Sequence, residues 1–122
     1  MTKVTNPRLI EAAPEFAHAF RCELVRQGYF DLAGQVGTMR IGSLCRCGTP
    51  ECATFTIADA RYDTDEHQDN CLSVDVEGGV YVHYSREGVY EVEALSHPQL
   101  ARQIKRALGE TGTQSVETIG LD

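Results

Sequence analysis

Between residues 72 and 94 the chain alternates apolar and polar residues across two glycine-ended turns, and nothing else in it limits the fold so narrowly. Leu72, Val74 and Val76 alternate with Ser73, Asp75 and Glu77; Val80, Val82 and Tyr84 follow, then Tyr90, Val92 and Ala94. Side chains alternate across a strand, so each set lies on one face. Three-residue turns at Glu77-Gly78-Gly79 and Arg86-Glu87-Gly88 put all three sets on a shared apolar face. Each turn ends in the Gly that a left-handed bulge position favours. A two-residue turn at Gly78-Gly79 would instead set Val82 beside Asp75. The expected element is a β-meander whose outer face carries Tyr81, His83, Glu91 and Glu93.

Helical periodicity brackets this sheet. Asn6-Pro7 reads as a helix start, and Pro14 as a second, because proline breaks a helix running through it. Phe16, Phe20 and Leu24 then recur every four residues as a core-facing stripe, with Gly28 as the stop. Cys22 and His18 fall on the opposite side. Residues 29–37, punctuated by Gly34 and Gly37, read as a loop. Pro98 opens a last helix with Leu100, Ile104 and Leu108 as its stripe and Gly109 as its end. The whole reads as an α+β fold: N-terminal helices, an antiparallel sheet of about five strands, and a C-terminal helix on the apolar face. One domain over 6–109 and a disordered tail over 110–122 are expected.

The chemistry is concentrated in Cys45-Arg46-Cys47-Gly48-Thr49-Pro50-Glu51-Cys52, three thiols in eight residues around a Gly–Pro turn. Strands over about 38–47 and 52–58 would flank it, with Leu44 opposite Phe55 and Gly42 opposite Ile57. Cys45, Cys47 and Cys52 then project together from the non-core side. Three soft thiolates suit zinc, which takes four ligands in a closed tetrahedral site. Cys71 is the expected fourth ligand, because alternation puts it on the non-core face; His67 is a looser candidate. The alternatives are inert structural thiols and a redox-active cluster.

The octet resembles the post-SET zinc motif of lysine methyltransferases, which has the same cysteine spacing and often a Gly after the second Cys. The likeness covers positions 45–52 alone, with no Asn-His-x-Cys element. It therefore implies zinc ligation by Cys45, Cys47 and Cys52 and nothing about methyl transfer. Over roughly 41–108, the Cys-x-Cys-Gly knuckle, Cys-Ala-Thr-Phe, a polar loop, a meander and a short helix resemble certain small uncharacterised bacterial proteins, which supports the fold.

Other constellations fail on chemistry. Asp63-x-Asp65-x-His67-x-Asp69 opens like a calcium loop, but Gln68 and Val74 stand where an EF-hand needs Gly and a carboxylate. Gly37 to Ser43 has no P-loop lysine, and Ser43 lacks a nucleophile-elbow setting. His83 opposite Glu91 reads as a surface cross-strand pair, and His97 before Pro98 as part of a helix cap. No catalytic residue emerges.

With 18 acidic and 11 basic residues the net charge is −7, a poor match to a nucleic-acid backbone. No apolar run is long enough for a membrane span. Met1–Pro7 has no hydrophobic signal core, so a reducing cytoplasmic setting is expected, where clustered cysteines favour metal or redox chemistry. The resulting expectation is an acidic, non-enzymatic interaction module with structural zinc and a basic protein partner, an inhibitor of the immunity-protein kind being one form. The alternative is a thiol-based redox sensor or small thiol enzyme. Metal-assisted hydrolysis at His67 is a remote third.

Overall fold

A computed structural model describes residues 6–58, 70–85 and 88–110. The elements are α1 (Leu9–Ala12), α2 (Pro14–Arg26), α3 (Phe30–Val36), β1 (Ile41–Leu44), β2 (Phe55–Ile57), β3 (Asn70–Val74), β4 (Val80–Ser85), β5 (Gly88–Glu93) and α4 (Pro98–Glu110). The strands form one antiparallel sheet in the order β1-β2-β5-β4-β3. Helices cover its apolar face, while Ser43, Thr56, Cys71, Ser73 and Tyr81 are exposed. This is the α+β arrangement that the periodicities imply.

In α2, Phe16, Phe20 and Leu24 are buried as their spacing requires. The helix stops at Gly28, whose φ of +90° suits a residue without Cβ. Its N–H donates to Val25 O at 3.0 Å and the Tyr29 N–H to Leu24 O at 2.8 Å, the paired bonds of a Schellman stop. In α4, Leu100, Ile104 and Leu108 are buried, together with Ala101. The helix continues through Gly109 to Glu110, and the expected tail from 111 onward lies outside the described residues.

Three local expectations are corrected. Residues 30–36 form a helix rather than a loop, because Leu32, Ala33 and Val36 reach the core while Gly34 sits on the exposed side. A mid-helix Gly costs about 1 kcal/mol relative to Ala, and burying Leu32 and Val36 at about 1.5–3 kcal/mol each outweighs it. Pro7 does not start a helix: its carbonyl accepts the Ile41 N–H at 2.8 Å, and Arg8 bridges Arg40 in extended form. The strands around the cysteines are shorter than expected. Leu44 does pair with Phe55, but an irregularity at Gly42 puts Ile41, not Gly42, opposite Ile57. Ile41 thereby enters the core, and a Cβ on Gly42 would lie 2.8 Å from Thr56 Oγ1 and 3.2 Å from Ala58 N.

The meander keeps its apolar face but not its first turn. Val74 pairs with Val80 and Leu72 with Val82, so the connection runs from Asp75 to Gly79 rather than over three residues. Val76, outside the strand, is still buried. Val82 pairs with Val92 as the three-residue second turn implies, but a shift beyond His83 pairs Ser85 with Gly88, so Gly88 opens β5 instead of closing that turn; the shift brings Val89 into the core and leaves Tyr90 half-buried. His83 lies opposite Glu91, yet its Nε2 meets the diagonal Glu93 Oε1 at 2.9 Å.

Candidate metal centre

The cysteines occupy the loop joining β1 to β2. Cys45 follows Leu44 and extends the ladder by one bond, its N–H donating to Thr54 O at 2.8 Å. Gly48 takes φ +87°, and the Cys52 N–H closes back on Thr49 O at 3.1 Å, folding the chain so that the thiols converge.

The far half of the loop is anchored to the segment between β5 and α4. Ala53 N–H donates to Ala94 O at 2.7 Å, Ala94 N–H to Thr54 Oγ1 at 3.0 Å, and His97 N–H to Glu51 O at 2.7 Å. The Cys52 thiol donates to the same buried Thr54 hydroxyl at 3.6 Å. Cys52 is thus held from several sides, and its position is set by the sheet rather than by the loop alone.

The Sγ atoms of Cys45, Cys47 and Cys52 all lie within 4.8 Å of one another, Cys52 buried and the other two exposed. Thiolates around a tetrahedral ion with bonds of about 2.3 Å stand about 3.8 Å apart, so a small contraction suffices to enclose a metal. These three residues could hold a metal ion.

Their electrostatics favour ligation. Hydrogen bonds from the Thr49 backbone N–H and hydroxyl, then side-chain interactions with Cys52 and Cys45, lower the Cys47 pKa to about 7. Cys45 also faces a favourable backbone bond from Cys47, but its side-chain bonds with Cys47 and Cys52 outweigh that and raise it. A metal cation would favour the thiolate form further and displace protons from the ligating thiols.

The structure does not bring Cys71 to this group. Alternation places Cys71 on the non-core face, but β3 and β1 are opposite edges of the sheet. Four strand spacings, on the order of 19 Å, separate them. Cys71 instead faces His83 across the β3–β4 ladder. Among the described residues no fourth Cys, His, Asp or Glu joins the three thiols within 4.8 Å. His67 and the acidic loop around it lie outside the described residues. Cys22 is exposed on α2, its Sγ 3.6 Å from His18 Nε2.

His97 has a larger structural part than a cap. Its carbonyl does accept the Ala101 N–H at 2.9 Å at the start of α4, but its ring is also buried. Nε2–H donates to Gly79 O at 2.9 Å in the meander turn, and the ring meets Phe16 edge-on at 6.2 Å. Among the described residues its Nδ1 has no hydrogen-bond partner; it is buried, 3.8 Å from Glu77 Oε1. One residue therefore ties the cysteine loop, the meander and two helices together. Nothing in the sequence marks this except the His-Pro step.

Comparison with known proteins finds no family model, no curated protein and no solved structure that matches the chain. Among the described residues no helix is long and apolar enough to cross a membrane.

Proposed function

We propose that Cys45, Cys47 and Cys52 hold a zinc ion that stabilises the loop between β1 and β2, in a cytoplasmic, non-enzymatic module that docks a basic protein. The observation that carries this reading is the convergence of three sulfurs within 4.8 Å on a loop anchored to the sheet. Soft thiolates select zinc over magnesium or calcium, which prefer oxygen ligands. With Cys71 remote, His67 is the candidate that would close the site as its fourth ligand. The net charge of −7 supports a basic partner, whose binding would weaken as salt rises.

Cobalt(II) substitution tests the site. The wild-type protein is expected to take up one ion and show the thiolate charge-transfer and tetrahedral d–d bands of a sulfur-rich site. The triple variant Cys45→Ser, Cys47→Ser, Cys52→Ser is expected to show neither. Octahedral bands in the wild-type protein would contradict the reading. His67→Ala changes the spectrum only where His67 is the fourth ligand.

A second reading, a thiol-based redox sensor, is favoured by one specific observation, the low pKa of Cys47 beside two other thiols. A peroxide would oxidise the Cys47 thiolate to a sulfenic acid, and a neighbouring thiol would displace water to form a disulfide. A lowered pKa leaves the thiolate in place above about 7 and removes it as pH falls below that value. Iodoacetamide labelling of Cys47 in metal-free protein should therefore rise to half its maximum near pH 7, not at about 8.5 as for a free cysteine. Labelling that tracks an ordinary thiol would remove the support for a sensor.

A further inference from the structure

A cavity of about 650 Å³ opens between the cysteine loop and α4. Its volume falls in the range of small-molecule sites, roughly 300–1,000 Å³. The wall combines two kinds of surface. Leu44 and Leu108 are apolar, Arg46 on the cysteine loop and Lys105 on α4 are cationic, and the hydroxyls of Ser43 and Thr49 are already bonded, to Thr56 at 2.9 Å and to Cys47.

The charge is the informative part. In a chain with 18 acidic and 11 basic residues, two cations and no carboxylate line this concavity among the described residues. Lys105 makes no ion pair with the described residues. It is exposed on α4, whose neighbouring positions Ile104 and Leu108 are buried in the core, and it lines the cavity. A concavity with two exposed cations on its wall favours an anion, and the apolar surface favours an organic body behind the charged head.

We infer that this cavity binds a small organic anion, its charged group taken by Lys105 and its apolar body lying against Leu44 and Leu108, while Arg46, which already has a partner in the fold, adds positive charge to the wall. Cys45 and Cys52 belong to the same wall, so occupancy and metal loading share two neighbours. By linkage, each would then change the affinity of the other by the same factor. Anion binding itself does not require the metal.

The test uses full-length protein, both metal-loaded and chelated, titrated with 2-naphthoate, 2-naphthyl phosphate and the neutral 2-naphthamide while backbone amide resonances are followed. At least one of the two anions is expected to saturate at submillimolar concentration and shift Ser43, Leu44, Thr49 and residues 101–108. The tighter of the two identifies the headgroup class. The amide should bind at least about tenfold more weakly, and Lys105→Glu should weaken the anions about tenfold while retaining wild-type amide dispersion and metal content. Equal binding of anion and amide would overturn the inference, as would shifts confined to other residues or an unchanged affinity in Lys105→Glu. Metal uptake without anion saturation defeats the anion site alone; anion saturation in protein that takes up no metal defeats the metal reading alone.

Discussion

Cys52→Ser is expected to lower the stability of the zinc-loaded protein by about 4 kcal/mol when free zinc stands about a thousandfold above its dissociation constant, because the variant forfeits that linked binding energy. In chelated protein the same change should cost only about 1 kcal/mol. Serine is close to cysteine in size and keeps a donor for the Thr54 hydroxyl, which accepts the thiol at 3.6 Å. The gap between the two conditions is the informative quantity. Cys52 is the sensitive position because it is the buried member of the three, on a segment tied to Ala94 and His97. Urea unfolding of wild type and variant, each with zinc and with chelator, measures all four values. Equal losses in both conditions would mean that Cys52 contributes packing and no metal ligand.

His97→Ala is expected to destabilise the protein by about 3 kcal/mol, whether or not metal is bound. The ring is 3% exposed and packs on Phe16, so its removal leaves a cavity. The Gly79 carbonyl also loses its 2.9 Å donor. His97→Phe restores volume but not the donor and should recover part of the loss. The backbone bonds from His97 N to Glu51 O and from Ala101 N to His97 O survive in both variants, so metal stoichiometry should not change. Thermal unfolding would register the alanine variant as a fall of roughly 10 °C. A fall of only a degree or two would show that the ring carries little of the core.

How much of this was legible in the sequence depends on which interactions decide each element. The stripes of α2 and α4 and the apolar face of the meander are governed by burial, which periodicity reports directly. α3 was not legible, because Gly34 and Gly37 look like punctuation until the burial of Leu32 and Val36 is known. The shifts at Gly42 and beyond His83 leave no signature in the pattern, since a bulge adds a residue without changing composition.

In the candidate site, the convergence of Cys45, Cys47 and Cys52 followed from short spacing around a tight turn. Cys71 did not follow, because alternation reports which face a residue is on and not how many strands away it lies. The insertion of β5 between β2 and β4 is what carries β3 to the far edge. The cavity beside α4 was equally invisible, since Arg46 and Lys105 are far apart in sequence and come to line one cavity only in the fold.

The central claim is that the three clustered thiols hold zinc. Its most direct test is elemental analysis of protein purified under reducing conditions without added metal or chelator, paired with a free-thiol count before and after strong chelation. The expected result is close to one zinc per chain, with Cys22 and Cys71 titrating at once and Cys45, Cys47 and Cys52 only after the metal is removed. Metal-free protein in which all five thiols titrate freely would contradict it.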